Sequence, residues 1–230
     1  MDVHTTNYTL CAMEPIIGED DRVFATIKVT PDYKNILMFI ENLKLKLGLN
    51  DEYDIQCGYE AGCLGYSLYN QLTAAGIKCV ILAPTTMLTP QGVRIKTDMR
   101  DAYMIAQCLS YGGYHAVYIP TEDDDSVKEY LRMRNDHKLA LKKIKQQINA
   151  FCIRHGFCYD GTKWTLSHLK WLKKLEITNG LHRETLDEYM ASYEEQEAKI
   201  ERYDKRIEEI AEQTRYHDKV KKLGCLQHCH

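Results

Sequence analysis

The sequence predicts an α/β domain followed by an all-α extension. Three observations carry the prediction. Strand-like and helix-like stretches alternate through the first 120 residues, glycine and proline punctuate them, and from Asp124 onward the chain turns to long charged helical segments with few glycines. The expected boundary lies near Thr121 to Asp125. This gives an α/β domain over 1–123, a helical region over 124–180 packed on it, a coiled-coil arm over 181–222, and the truncated start of a further domain over 223–230.

Each element has its own signal. Asn7 to Met13 and Arg22 to Val29 are rich in β-formers and flank the turn-like Glu14 to Asp20, so they read as a hairpin beginning just after Asp2. Pro31 and Asp32 open a helix whose apolar residues Ile36, Leu37, Ile40, Leu43 and Leu47 recur at helical spacing, closed by Gly48 and Asn50. Tyr53 to Tyr59 reads as a strand, Leu64 to Ala75 as a helix ended by Gly76, and Ile77 to Leu82 as a strand stopped by Pro84. These three make a βαβ unit with buried parallel strands. Asp98 to Leu109 predicts a further helix, broken by Gly112 and Gly113 before a strand-like run from His115 to Ile119.

In the second half, Leu186, Tyr189, Tyr193, Gln196, Ile200, Tyr203, Ile207 and Ile210 alternate at spacings of three and four, which is a heptad seam flanked by mixed charge. The seam is narrow for broad core burial, so pairing between chains as a dimer or tetramer is expected. Folding against its own chain is the alternative. Trp164 and Trp171 are expected to bury against the helices rather than stack on bases.

Bulk composition sets limits. At 230 residues the chain holds one well-filled core plus an extension, or two small domains. Thirty basic and 33 acidic residues leave a formal charge of -3, so any nucleic-acid binding must use local basic patches. The nine cysteines are scattered without a Cys-x-x-Cys pair, and no secretory pattern opens the chain, so reduced thiols in a cytoplasm are expected. The apolar runs are too short to span a bilayer, so no membrane partner is expected.

The strongest chemical signal is Lys96-Thr97-Asp98-Met99-Arg100-Asp101-Ala102, which places two aspartates three apart on one helix face. Taken alone, the pair reads first as an N-cap at Asp98 and a first-turn charge at Asp101, ahead of a functional site. Asp2 at the mouth of the hairpin and Glu60 at the carboxyl end of a strand change that balance, because functional groups gather at strand ends in α/β sheets. Asp2, Glu60, Asp98 and Asp101 together form the oxygen-rich set that suits Mg²⁺ or Mn²⁺. Two such ions about 3.5–4 Å apart serve phosphoryl transfer.

These motifs carry a resemblance. Asp2-Val3-His4 at a hairpin, Tyr59-Glu60-Ala61-Gly62 closing a strand, and Lys96-Thr97-Asp98 to Arg100-Asp101-Ala102 opening a helix resemble the DEDD transposases of bacterial insertion sequences, from Asp2 to about Gly156. The resemblance implies a RuvC-like, RNase H-like mixed sheet with flanking helices. It also implies divalent metal on the four acidic positions, and both DNA and a structured guide RNA as partners. Arg94, Lys96 and Arg100 are then candidates for backbone phosphate. Arg132, Arg134, Lys138, Lys142 and Lys145, with Lys143 and Arg154 nearby, are candidates for nucleic-acid contact, or else a solvated charged face.

The sequence departs from the family at both ends. Only Met1 precedes Asp2, where the family carries apolar residues of a first strand. The chain stops at Gln227-His228-Cys229-His230, where the family continues into a second domain bearing a nucleophilic serine. Ser67, Ser110, Ser126, Ser167 and Ser192 sit in no replacement motif. The closing Cys225, His228, Cys229 and His230 read as a frameshifted or truncated tail rather than a zinc site. The expected function is therefore transposition chemistry left incomplete in this fragment. A junction-resolving nuclease, or an inactive nucleic-acid-binding or dimerising remnant, is the alternative.

Overall fold

A computed structural model of the chain describes residues 1–16, 18–48, 54–87 and 97–227, with side chains to Gly224. They divide into two compact units, Met1–Ile119 and Pro120–His230.

The first unit is the α/β part. Strands β1 (Asp2–Val3), β2 (Tyr8–Glu14) and β3 (Arg22–Val29) form an antiparallel meander. Asp2 is therefore a strand residue itself, one strand more than the expected hairpin, because His4 donates its backbone N–H to the Asn7 carbonyl (2.9 Å) and turns the chain back. The register sets Asp2 opposite Thr9 and Thr9 opposite Lys28. Directly opposed residues share a sheet face, so these three form one row across the meander.

Helix α1 (Tyr33–Leu47) starts where expected, with Asp32 accepting from the Lys34 N–H at 2.9 Å. It stops at Gly48, whose φ of 62° is easy only for a residue without Cβ. Then β4 (Gln56–Glu60), α2 (Ser67–Ala74) and β5 (Lys78–Leu82) build the expected βαβ unit, with Gly58 opposite Val80 and Glu60 opposite Leu82 in parallel register. The Met1 amino group donates to the Gly58 carbonyl at 2.8 Å and brings the start of β1 alongside β4. The strand-like run after Gly113 is reduced to a single bridge, Ala116 against Leu82. A 3-10 turn (Pro84–Thr86) follows β5, and α3 (Asp98–Tyr111) ends at Gly112 with φ 67°.

Side-chain alternation assigns the two faces of these strands. Tyr8, Leu10, Tyr59 and Ile81 cluster with Ile36 and Ile40 of α1 and Leu68 and Leu72 of α2. Leu82 turns the other way and packs with Ile105 and Cys108 of α3. A Cβ on Gly58 would meet Leu82 and Leu109 at about 3 Å, so α3 lies close over this second face.

The second unit is helical: α4 (Glu122–Arg154), α5 (Leu166–Lys174), α6 (Gly180–Ala211) and α7 (Thr214–Gln227). Thr121 caps α4, whose first turn is entirely acidic, as the helix dipole favours. Helices α4 and α6 run antiparallel. Arg134 grips Asp204, His137 meets Gln196 (2.8 Å), and the His155 ring lies against the His182 ring in a tilted contact. Ile148, Phe151 and Cys152 pack with Leu172, Leu186, Met190 and Tyr193 in one core. The return of the chain is pinned where Arg215 of α7 meets Asp123 and Asp124.

This changes the reading of the heptad seam. Leu186, Tyr193, Gln196 and Tyr203 meet residues of α4 or its core, so the seam has a partner within its own chain. The reason is entropic: a partner tied by a short connection is present at high effective concentration. Residues 124–180 and the seam helix accordingly form one unit. Trp164 stacks on Tyr193 and Trp171 on His168, in keeping with burial against helices. No helix among the described residues is long and apolar enough to cross a membrane, and no disulfide joins the described cysteines.

Candidate metal centre

The site lies on the face of the first unit that α3 covers. Its local geometry begins at Thr97, whose extended backbone and side-chain oxygen, accepting from the Arg100 N–H at 3.3 Å, start α3 at Asp98. Asp98 and Asp101 therefore occupy the first turn, where the exposed N–H groups favour negative charge.

Long-range packing brings Asp98 to the meander. Lys28 of β3 reaches across with Nζ 2.6 Å from Asp98 Oδ2. The hydrogen bond and the charge of Lys28 hold the Asp98 carboxyl below the usual carboxylate range. His4 adds Nε2 at 3.2 Å from Asp2 Oδ2. Among the described residues, Asp2, His4 and Asp98 form a group able to hold a metal ion, each offering one donor atom, all within 4.8 Å of one another.

Glu60 and Asp101 do not join this group. Glu60 ends β4 and, by strand alternation, shares the face of Gly58 under α3, while Asp101 stands one turn along α3 from Asp98. The structure thus gathers Asp2 and Asp98 tightly and leaves the other two half-buried on the same side. Sequence reasoning missed His4 as a donor and Lys28 altogether. The two-residue step from Asp2 to His4 along an extended chain was the signal for the first. Nothing local marks Lys28.

The donor set of two carboxylates and an imidazole fits a small divalent cation. A further observation agrees: Thr9 Oγ1 is fully buried with no hydrogen-bond partner among the described residues, in the row between Asp2 and Lys28. A buried hydroxyl left unpaired is costly, so a polar group or water in this row would satisfy it.

Comparison with known proteins now decides the family. Residues 1–153 match the DEDD transposase family of the IS110 type. The chain belongs to this family. It is 33% identical over 231 aligned residues to the transposase for insertion sequence element IS1533 of Leptospira borgpetersenii, covering 99% of this chain and 64% of that protein. It is also 36% identical over 131 residues to putative transposase y4qE of Sinorhizobium fredii, covering 56% of this chain and 34% of that one. The chain thus spans under two thirds of the length of either relative.

The basic residues of this transposase-family chain fall into different situations. Arg94 and Lys96 lie outside the described residues. Arg100 is exposed in the first turn of α3. On α4, Arg134 makes a two-pronged bond to Asp204 (2.7 and 3.0 Å), Arg132 pairs with Glu129, and Lys145 lies 3.6 Å from Glu197 and over the Trp164 and Tyr193 rings. These three are engaged within the helical unit, while Lys138 and Lys142 stay exposed on α4.

Proposed function

We propose that the chain is the metal-binding part of an insertion-sequence transposase, holding Mg²⁺ or Mn²⁺ with Asp2, Glu60, Asp98 and Asp101 for phosphodiester chemistry on DNA. The observation that carries the reading is the meeting of Asp2 and Asp98, with His4, at the sheet face under α3 in a chain that matches the DEDD family across that region. A divalent ion bound there would polarise a phosphate oxygen and activate an attacking hydroxyl.

The residues themselves supply the rest. Asp2 and Asp98 lie on separate elements, and Lys28 orients Asp98 from the side. The bond from Met1 to Gly58 supports an RNase H-like, RuvC-like sheet with β1 beside β4. Continued as parallel pairing, it would set Asp2 opposite Glu60. DNA and a structured guide RNA are the proposed partners, approached through Arg94, Lys96, Arg100, Lys138 and Lys142, with a dimer or tetramer as the working assembly.

Isothermal titration with Mn²⁺ and Mg²⁺ tests the reading on the wild type and on Asp98→Asn/Asp101→Asn. Saturable heat from the wild type that the double variant lacks is expected. Equal heats from both proteins would overturn the metal site.

A further inference from the structure

We propose that His4 is itself a ligand of this centre, and that its imidazole makes the site favour a first-row transition ion such as Mn²⁺ over Mg²⁺. The proposal rests on the metal reading above and adds to it a residue that the four-carboxylate set does not contain.

The geometry places His4 for the task. It follows β1 directly, and its backbone is fixed by the bond from its N–H to the Asn7 carbonyl, so the ring stands on a closed turn. Its Nε2 lies 3.2 Å from Asp2 Oδ2, and an Asp98 oxygen completes a set within 4.8 Å. Ligands on an ion at about 2.1 Å sit roughly 3–4 Å apart, so small side-chain rotations suffice.

Charge and donor type then set the preference. Lys28 already neutralises one charge of the pair Asp2 and Asp98, so Coulomb attraction for any divalent ion is weakened and the type of donor atom is left to decide between ions. Imidazole nitrogen adds affinity for transition ions and little for Mg²⁺, which prefers oxygen and water. Thr9 Oγ1, fully buried and without a hydrogen-bond partner among the described residues, lies in the same cross-strand row as Asp2 and would be satisfied by a water held on the ion.

The test uses the full chain with Mn²⁺ and Mg²⁺ alone as probes, comparing wild type, His4→Ala, His4→Asn and Asp98→Asn. Pulsed electron paramagnetic resonance of bound Mn²⁺ is expected to show coupling to a nitrogen nucleus in the wild type and none in His4→Ala. Titration is expected to show Mn²⁺ affinity falling at least tenfold in both His4 variants, the lower end of what outer-sphere partners alone cost, with Mg²⁺ affinity nearly unchanged. His4 is exposed, so both variants should melt like wild type without metal. Binding that Asp98→Asn removes, with no nitrogen coupling or with equal losses for both ions in the His4 variants, would overturn the role of His4 and leave the carboxylate reading standing. No Mn²⁺ binding by the wild type would overturn both.

Discussion

Lys28 Nζ lies 2.6 Å from Asp98 Oδ2, an ion pair that ties β3 to the first turn of α3 across 70 residues of chain. An ion entering beside Asp98 must meet this ammonium. Coulomb repulsion at about 4 Å in a water-like medium is about 2 kcal/mol between an ammonium and a divalent ion, roughly thirtyfold in affinity. Lys28→Met is therefore expected to bind Mn²⁺ roughly thirtyfold more tightly than wild type, with Lys28→Arg unchanged. Calorimetric titration of the three proteins checks this, and weaker binding by Lys28→Met would mean that the lysine organises Asp98 more than it competes for it.

Gly58 sits where β4 meets α3. A Cβ there would lie 2.9 Å from Leu82 Cδ1 and 3.1 Å from Leu109 Cδ2, and Leu82 is fully buried. Alanine forces those two side chains to shift, and valine forces α3 itself outward. Overpacking of this kind costs about 1–3 kcal/mol, so Gly58→Val should lower the unfolding free energy of the first unit, read from urea unfolding, by that amount and Gly58→Ala by less. Because α3 carries Asp98, metal affinity should fall with the valine. A valine variant as stable as wild type would show that α3 does not lie this close to β4.

Leu186 decides how the seam is used. It is fully buried among Ile148, Phe151 and Leu172, all from its own chain. Leu186→Ala should destabilise the helical unit by about 2–5 kcal/mol through lost contacts and a cavity. The loss should be independent of protein concentration. Thermal melts followed by circular dichroism at several concentrations measure this, and a melting temperature that rises with concentration would instead place Leu186 between chains.

How far the sequence could be read depended on how local each signal is. The start at Asp32 and the stops at Gly48 and Gly112 act within a turn of the residues that reveal them, so these helix ends were legible, whereas the cap of α3 is Thr97, one residue before Asp98. The places of Asp98 and Asp101 in the first turn of α3 and of Glu60 at the end of β4 were legible for the same reason. The ion pair of Lys28 was not, because a lysine on a strand pattern carries no mark of a carboxylate 70 residues away. The strand containing Asp2 escaped because two residues hold no periodicity. In α6 the heptad pattern announced a face that needed covering. It could not name the cover, since α4 presents its complementary residues as a long charged helix.

The turn between β2 and β3 is anchored to α3 through Asp21, which accepts hydrogen bonds from Tyr111, from Gln107 (2.8 Å) and from Tyr103 (3.2 Å). These donors, Tyr111 first, favour the ionised form and hold its carboxyl below the ordinary value of 3.8. A carboxyl whose value is depressed by folding contributes stability that is complete above the unfolded value and is lost as pH falls through the folded one. The stability difference between wild type and Asp21→Ala should therefore be constant from pH 7 to about pH 5 and shrink below pH 4, where the wild type loses the advantage that the variant never had. Urea unfolding of both proteins at pH 7, 5 and 3.5 measures it. A difference undiminished at the lowest pH would show that packing of the turn, and not the charge on Asp21, holds it against α3.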